Sequence, residues 1–384
     1  MTDDYEMITT ERDLSRLVQT LAGEPAYAID TEFHRERTYF PHVALVQVAG
    51  PDGVHLVDPL AVDLSPLREL LEGPGLAVMH ASRQDMEVLE RSCGAVPSKL
   101  FDTQLAAGFV GYTSPSLSVV LEGELGVRMG KADRLTDWLR RPLTEAQLSY
   151  AAQDVAHLLE LHRVLAAKLE ERGRSEWVNE ICEEIRADPP APRDPDEVWR
   201  RIKEIRHLKG SRLALAQAVA AWRERRAIEN DVTPRFVLSD LGVVSVASAA
   251  PTDIEELTGL RGVDGRVLKG GGGEELIALI REQDGARPRR RRQSPGPELP
   301  ADLRPVLPLI SAWVNQRSRE LEIETALLAT RSDIEALLRG EPGARLGSGW
   351  RAEIVGEPIR RMVEGSAALA FSKGQGLLLV DLPG

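Results

Sequence analysis

Five residues within the first 154 have the types and spacings to do chemistry together. Asp30 and Glu32 lie two apart in AYAIDTEF, Asp85 lies in VMHASRQDMEVL, and Tyr150 and Asp154 lie four apart in LSYAAQDVAHL. Alternate residues of a strand share a face, so Asp30 and Glu32 project side by side if the segment is extended. Residues four apart share a face of a helix, so Tyr150 and Asp154 stack there. Asp85 falls about one turn into a helix that follows the apolar strand Leu76 to Met79. A parallel sheet with a helix packed on it would gather the three segments. Carboxylates gathered in that way repel one another and lose solvation unless positive charge lies between them. A pair of divalent cations is the natural occupant, and oxygen donors select Mg²⁺ or Mn²⁺ over zinc. Two such ions roughly 3.5–4 Å apart clamp the attacking and leaving oxygens of a phosphoryl displacement.

Each residue taken singly has a plain structural explanation. A D-x-E pair can sit on an exposed strand face, and Tyr-x-x-x-Asp is ordinary on a half-buried helix. Asp85 could simply favour the positive end of its helix. The weight lies in their order, strand then helix then helix, and in YAID placing Asp30 on an apolar, buried strand. Asp102 in FDTQLAAGF reads better as the N-cap of a helix than as a ligand, and it is left out of the ligand set.

The D-x-E strand, the segment from His80 to Asp85 and the Tyr-x-x-x-Asp helix resemble the three motifs of the DEDD 3′→5′ exonucleases, tyrosine subtype. The runs DTEFHRERTYFPHVALVQVA, TDWLRRPL and LSYAAQDVAHLLEL closely resemble the ribonuclease D family, over about half the chain. The resemblance implies hydrolysis of phosphodiesters at RNA 3′ ends, tRNA-like precursors among them. It implies an α/β ribonuclease H-like domain with a mixed sheet flanked by helices. It makes Asp30, Glu32 and Asp154 direct ligands of two divalent ions, with Asp30 bridging and Asp85 reaching the second ion directly or through water. Tyr150 would orient the attacking water, because a phenol near pKa 10 is a poor base at neutral pH. A DNA 3′→5′ exonuclease acting on single strands would use the same site. A non-catalytic RNA-binding scaffold would have lost one of these five groups, and all are present.

Around the acids stand further candidates. Phe33 could stack on a base, and Arg35 and Arg37 could hold phosphates, or the three could form a solvated loop. His80 could touch nucleic acid or steady Asp85. Gln47 interrupts the apolar run ALVQVAG as a structural or site-rim residue. The remaining histidines show no metal-binding spacing.

At 384 residues the chain exceeds one ordinary core. Prolines break the helical pattern in ADPPAPRDPDE, so the exonuclease-like unit is expected over 1–187, with a linker at 188–197. Residues 198–284 are helical, and LALAQAVAAWRERRAIENDVTPRFVLSD resembles the HRDC domain, a small helical module with an implied role in binding nucleic acid. Lys203, Arg206, Lys209 and Arg212 would form its basic face, with Arg223, Arg225 and Arg226 able to join it. The Gly270 to Gly273 run lacks a phosphate-loop pattern. An Arg- and Pro-rich linker follows at 285–300, with Arg287 and Arg289 to Arg292. In 301–384, AWVNQRSRELEIETALLAT aligns with AWRERRAIENDVTPRFVLS, and SDIEALL is similar to TDIEELT. This region is therefore expected to be a degenerate second HRDC-like domain, giving two all-α HRDC-type domains after the exonuclease. The apolar tail LALAFSKGQGLLLVDLPG departs from the helical pattern and reads as a terminal strand or docked extension.

The net charge of −12 argues against strong non-specific binding of nucleic acid. Positive charge is nevertheless concentrated between Trp199 and Glu229, where nine Lys or Arg face three Glu. Two cysteines without motif spacing, an acidic MTDDYEM start and no long apolar run point to the cytoplasm, with no membrane partner.

Overall fold

Six strands form one sheet: β1 (Tyr5–Ile8), β2 (Ala26–His34), β3 (His42–Gly50), β4 (Gly53–Val57), β5 (Leu76–Met79) and β6 (Leu100–Asp102). They are ordered β1-β4-β3-β2-β5-β6 in this computed structural model, which describes residues 5–130, 136–189, 191–267, 269–283, 285–288 and 299–382. Short connections make β2, β3 and β4 antiparallel, and the tightest, at Pro51–Asp52, ends on Gly53 at φ 126°. β1, β5 and β6 pair in parallel with their neighbours, because longer connections with helices bring the chain back in the same sense. The sheet is thus mixed, as the family resemblance implies, and not the parallel sheet that the motifs alone suggest.

Helices α1 (Glu11–Leu21), α2 (Leu67–Glu72), α3 (Arg83–Cys93), α4 (Thr103–Gly108) and α5 (Leu117–Leu125) flank the sheet. The Tyr150–Asp154 helix is followed at once by another: α6 (Glu145–Ala156) and α7 (Leu158–Glu171) meet in a bend at His157. The bend lets α6 pack on β2, β3 and β4 while α7 packs on β5 and α4. Thr144 opens α6 with a capping box closed by Gln147. Helix α8 (Ser175–Ala187) completes the unit. Its core is aliphatic: Leu161, Leu165 and Leu169 of α7 are fully buried with Ile29 and Val78 of the sheet, each contributing about 1.5–3 kcal/mol.

The next unit has a separate core built on Val198, Ile202, Ile205, Val219, Val243 and Leu276. Its opening WRRIKEIRHL, expected as helix, forms two 3₁₀ turns, Val198–Arg201 and Lys203–His207. Ile202, Ile205 and Leu208 recur every three residues, which lines them up on a 3₁₀ turn. Then come α9 (Gly210–Glu229), α10 (Pro234–Val237), α11 (Asp240–Ala249), α12 (Ile254–Thr258) and α13 (Gly272–Glu282). The glycine run serves packing: a Cβ on Gly272 would stand 2.3 Å from the Val267 carbonyl oxygen, beside the Arg226 guanidinium.

Residues 301–382 repeat the turn between α9 and α11 at an offset of 91. Helix α15 (Thr325–Leu328) spans the equivalent of α10, α16 (Arg331–Leu338) begins where α11 does, and α14 (Val306–Leu321) ends one residue beyond the end of α9. Asp231 and Glu322 are both left-handed, at φ 47° and 52°. Ser239 and Thr330 are the matching N-caps. This register sets SDIEALL against α11 and not against TDIEELT. Those two short motifs agree only in an N-cap followed by acidic residues, which any helix start favours. The unit shares its core with the first: Trp350 stacks on Trp177 at 4.7 Å and meets Phe109 edge-on at 5.5 Å. The tail forms a hairpin of β7 (Ala367–Ser372) and β8 (Gly376–Asp381). Arg289 to Arg292 of the expected linker lie outside the described residues. No helix among the described residues is long and apolar enough to cross a membrane.

Candidate active site

Strand β2 presents Asp30 and Glu32 on one face. Across the antiparallel pairing, Asp30 faces Gln47 and Glu32 faces Leu45, so all four share the side that α6 covers. Leu45 packs there on Ala151 and Ala152 of α6. Those small residues let the helix approach the strands closely. They carry Tyr150 and Asp154, one turn apart, up to the two strand carboxylates. The Tyr150 hydroxyl donates to the buried Asp154 carboxylate. Between Glu32 and Phe33 a register shift interrupts the pairing of β2, which resumes at the half-buried Phe33 opposite Val43.

Asp85 arrives from the adjacent parallel strand, in the first turn of α3. Two interactions hold it. Thr31 alternates with the acids and so points to the other side of β2, and its hydroxyl donates to Asp85. Beneath the helix start, Asp102 takes five hydrogen bonds: from the Ala81 and Ser82 amides at 3.1 and 2.8 Å, from the Ser82 hydroxyl at 2.8 Å, and from the Gln104 and Leu105 amides at 2.9 and 3.2 Å. Asp102 is thus the N-cap of α4 and also fixes the left-handed turn at Ala81 (φ 60°) that launches α3. Asp102→Ala leaves buried amides unsatisfied and is expected to destabilise the fold by about 3 kcal/mol. Urea unfolding checks this, and an unchanged midpoint would refute the role.

The four carboxylates share one electrostatic problem. Burial pushes Asp85 and Asp154 up to about 7. Burial and the charges of Asp154 and Asp85 push Glu32 to about 8. Asp30 is raised well above the carboxylate range by burial and by Asp85, Asp154 and Glu32 together. The Tyr150 phenol also rises, by burial and then by Asp154 and Glu32. Among the described residues no cation lowers any of the four acids. An all-carboxylate donor set of this kind fits hard divalent metal ions. Among the described residues no three such side chains converge at ligand distance.

A cleft of about 570 Å³ opens beside Tyr150, lined by Trp138, Arg140 and Pro142. Its loop is pinned by Arg141, whose Nε and Nη2 bond Asp58 at 2.7 Å each while Nη2 and Nη1 reach the Ala44 and Trp138 carbonyls. Thr31, Gln47, Asp58, Asp102 and Arg141 all lie in or beside the motif segments, so their proximity was available to sequence reasoning. Their partners were not.

The expected nucleic-acid contacts divide. Arg35 forms a two-pronged ion pair with buried Glu87, at 2.6 and 3.1 Å, tying β2 to α3. The Arg37 side chain is exposed, while its carbonyl accepts the Thr233 amide from the neighbouring helical unit. His80 is half-buried, with its ring nitrogens against Thr103 Oγ1 at 2.9 Å and the Pro115 carbonyl at 3.3 Å. It is a prop for the turn before Asp85. Lys203, Arg206, Lys209 and Arg212 are exposed. Arg223, Arg225 and Arg226 do not join them as free basic groups: they pair with Asp240, Asp196 and Glu275. The Gln47 amide is fully buried with neither polar atom hydrogen-bonded.

The helical units dock through equivalent corners. Asp231 accepts the Tyr39 and Phe40 amides at 3.0 Å each and meets His42. At the offset of 91, Glu322 pairs with Arg172 at 2.8 Å. Thr233 and its counterpart Glu324 both donate their amides to the first unit, to the carbonyls of Arg37 and Gly108.

Residues 5–170 match a family model described as a 3′-5′ exonuclease, and residues 212–280 match the HRDC domain. Ribonuclease D of Gluconacetobacter diazotrophicus is 39% identical, covering 98% of this chain and 95% of its own length. Ribonuclease D of Acidiphilium cryptum is 37% identical, covering 98% and 97%. The crystal structure of Escherichia coli RNase D, an exoribonuclease involved in structured RNA processing, matches with a TM-score of 0.81 at 32% identity, over 94% of this chain and 99% of that one.

Proposed function

The chain belongs to the ribonuclease D family and is a 3′→5′ exoribonuclease, and from that premise we propose that it trims the 3′ ends of structured RNA, tRNA-like precursors included, with two Mg²⁺ or Mn²⁺ ions. The observation that carries the site is the set of four carboxylates beside Tyr150 whose affinity for protons is raised by burial and, for Asp30 and Glu32, by the charges of the neighbouring acids as well. Divalent ions bound there supply the charge neutralisation and Lewis acidity of an in-line phosphoryl displacement. Asp30, Glu32, Asp85 and Asp154 would hold them. The Tyr150 hydroxyl, anchored on Asp154, orients the attacking water. Its raised pKa makes it a hydrogen-bonding group at neutral pH and not a phenolate base.

Around this centre, Phe33 stacks on a base near the 3′ end, and Arg37 with the exposed Lys203, Arg206, Lys209 and Arg212 follows the phosphates upstream. His80 acts at the rim by propping the turn before Asp85, and Arg35 stands there on its pairing with Glu87. The units are 1–187, 198–284 and 301–384, joined by linkers at 188–197 and 285–300. The third is a degenerate HRDC-like copy, a reading supported by the turn repeated at an offset of 91. The buried thiols of Cys93 and Cys182 suit a cytoplasmic protein.

The test is a time course on 5′-labelled RNA and DNA of matched sequence, with Mg²⁺, Mn²⁺ or chelator. A metal-dependent ladder shortening from the 3′ end of RNA is expected. Preference for DNA would move the protein to the DNA exonucleases, and binding without cleavage would make it a scaffold.

A further inference from the structure

Where the second unit docks on the first, an open cleft of about 490 Å³ lies between the residues after β2, Arg193 and the turn between α9 and α11. Five arginines line it (Arg35, Arg193, Arg201, Arg223 and Arg235) against three carboxylates, those of Glu36, Glu224 and Asp240. Two of the acids are already engaged, and Arg35 is itself forked onto Glu87 outside the cleft. Glu224 accepts the Tyr39 hydroxyl at 2.7 Å, and Asp240 accepts Arg223 Nη1 at 2.6 Å. Arg193, Arg201 and Arg235 have no carboxylate partner among the described residues. Two polar groups of the lining are buried without any hydrogen bond: Nε of Arg223, whose side chain is 7% exposed, and the Thr233 hydroxyl. A buried guanidinium N–H and a hydroxyl left unsatisfied beside three unpaired arginines are costly unless an anion completes them.

We propose that this interdomain cleft binds a phosphate group of the RNA strand a few nucleotides upstream of the scissile bond. The chemistry asks for an oxyanion with several acceptor oxygens, and guanidinium forks match phosphate geometry. A strand phosphate is favoured over a free one by position. Arg35 lies three residues beyond Glu32 on the same extended segment, on the order of 10 Å along it, so one strand can reach both. The linker and the second unit supply the other four arginines, so the site exists only when the units are docked. It gives the module a positioning role beside the catalytic centre, in addition to any exposed basic face. The inference rests on the exoribonuclease reading only for the identity of the strand.

The test uses the full chain carrying Asp154→Asn, so that RNA survives the measurement, with and without the triple change Arg193→Ala, Arg201→Ala and Arg235→Ala. Among the described residues these three side chains make no ion pair, and the triple change removes one long hydrogen bond, from Arg235 to the Glu36 carbonyl at 3.4 Å. Affinity for a 5′-labelled oligoribonucleotide is followed against salt. A loss of about tenfold or more is expected, with the log–log salt dependence shallower by about 0.7 for each phosphate charge left without its arginine. The corresponding triple change to lysine should restore most of the salt dependence and only part of the affinity, because an ammonium lacks the fork. Arg68→Ala, at the opposite end of the sheet, should leave both unchanged. Affinity and salt slope within twofold of the parent would overturn the proposal. So would loss of 5′-AMP or inorganic phosphate binding with RNA affinity kept, which would assign the cleft to a free anion. Failure of the wild-type chain to degrade RNA would refute the nuclease reading instead, and the binding measurement would still decide the cleft.

Discussion

Asp154→Asn is expected to lower RNA hydrolysis by roughly 10³-fold or more and, in chelator at pH 8, to raise the melting temperature. The two effects have one cause. Asp154 is buried among other acids, and its pKa moves from 3.8 to about 7. At 1.36 kcal/mol per pH unit, the ionised form destabilises the metal-free fold by up to roughly 4 kcal/mol. The sign follows from linkage. A carboxyl whose folded pKa lies above its unfolded value binds the proton more tightly when folded, so stability falls as pH rises from about 4 to about 7 and then levels. The amide removes that penalty. The gain over the parent should therefore be largest at pH 8 and vanish near pH 4. The same substitution removes a ligand for the ions that stabilise the displacement, which is worth several kcal/mol of barrier. Divalent metal should stabilise the parent more than the variant. Calorimetry in chelator and in Mg²⁺, with a hydrolysis assay, checks all of this. Wild-type turnover by the variant would sink the metal-ligand assignment, and equal melting temperatures at pH 8 would sink the electrostatic account.

Tyr150→Phe should lower the rate at saturating RNA by something like 10²–10⁴-fold with little change in affinity. The ring keeps its packing 6.2 Å from Trp138, so the fold loses only the hydroxyl and its bond to Asp154. The phenol's raised pKa adds a pH signature. Because the hydroxyl stays protonated throughout the working range, the wild-type rate should show no limb from phenol ionisation below about pH 10, and the variant's profile should keep the wild-type shape. A variant with the wild-type rate would reduce Tyr150 to a packing residue. A variant with a changed pH profile would make the phenol a proton acceptor.

The amino-acid sequence by itself determined the chemical groups and the local geometry that pairs them. Asp30 and Glu32 share a strand face and Tyr150 and Asp154 share a helix face because the periods of strand and helix are set by the backbone. The Asp102 cap was legible for the same reason, being satisfied within a few residues. So was the repeat of the α9 corner, although sequence matching set SDIEALL against the wrong helix.

What only the tertiary structure decided are the partners that meet across long stretches of chain. Thr31 holding Asp85, Arg35 holding Glu87, and Arg141 pinning its loop to Asp58 depend on which strands lie side by side. That order is chosen by burial of the whole sheet and not by local preference. The fate of the arginines is the plainest case. Arg223, Arg225 and Arg226 read as one basic face with Lys203 and Arg206, yet the packing of α9 turns them towards Asp240, Asp196 and Glu275. Arg193, Arg201 and Arg235, scattered in the sequence, are brought to one cleft with Arg35. A charge carries no sign of its partner along the chain, because Coulomb attraction acts through space and the fold alone sets the distances.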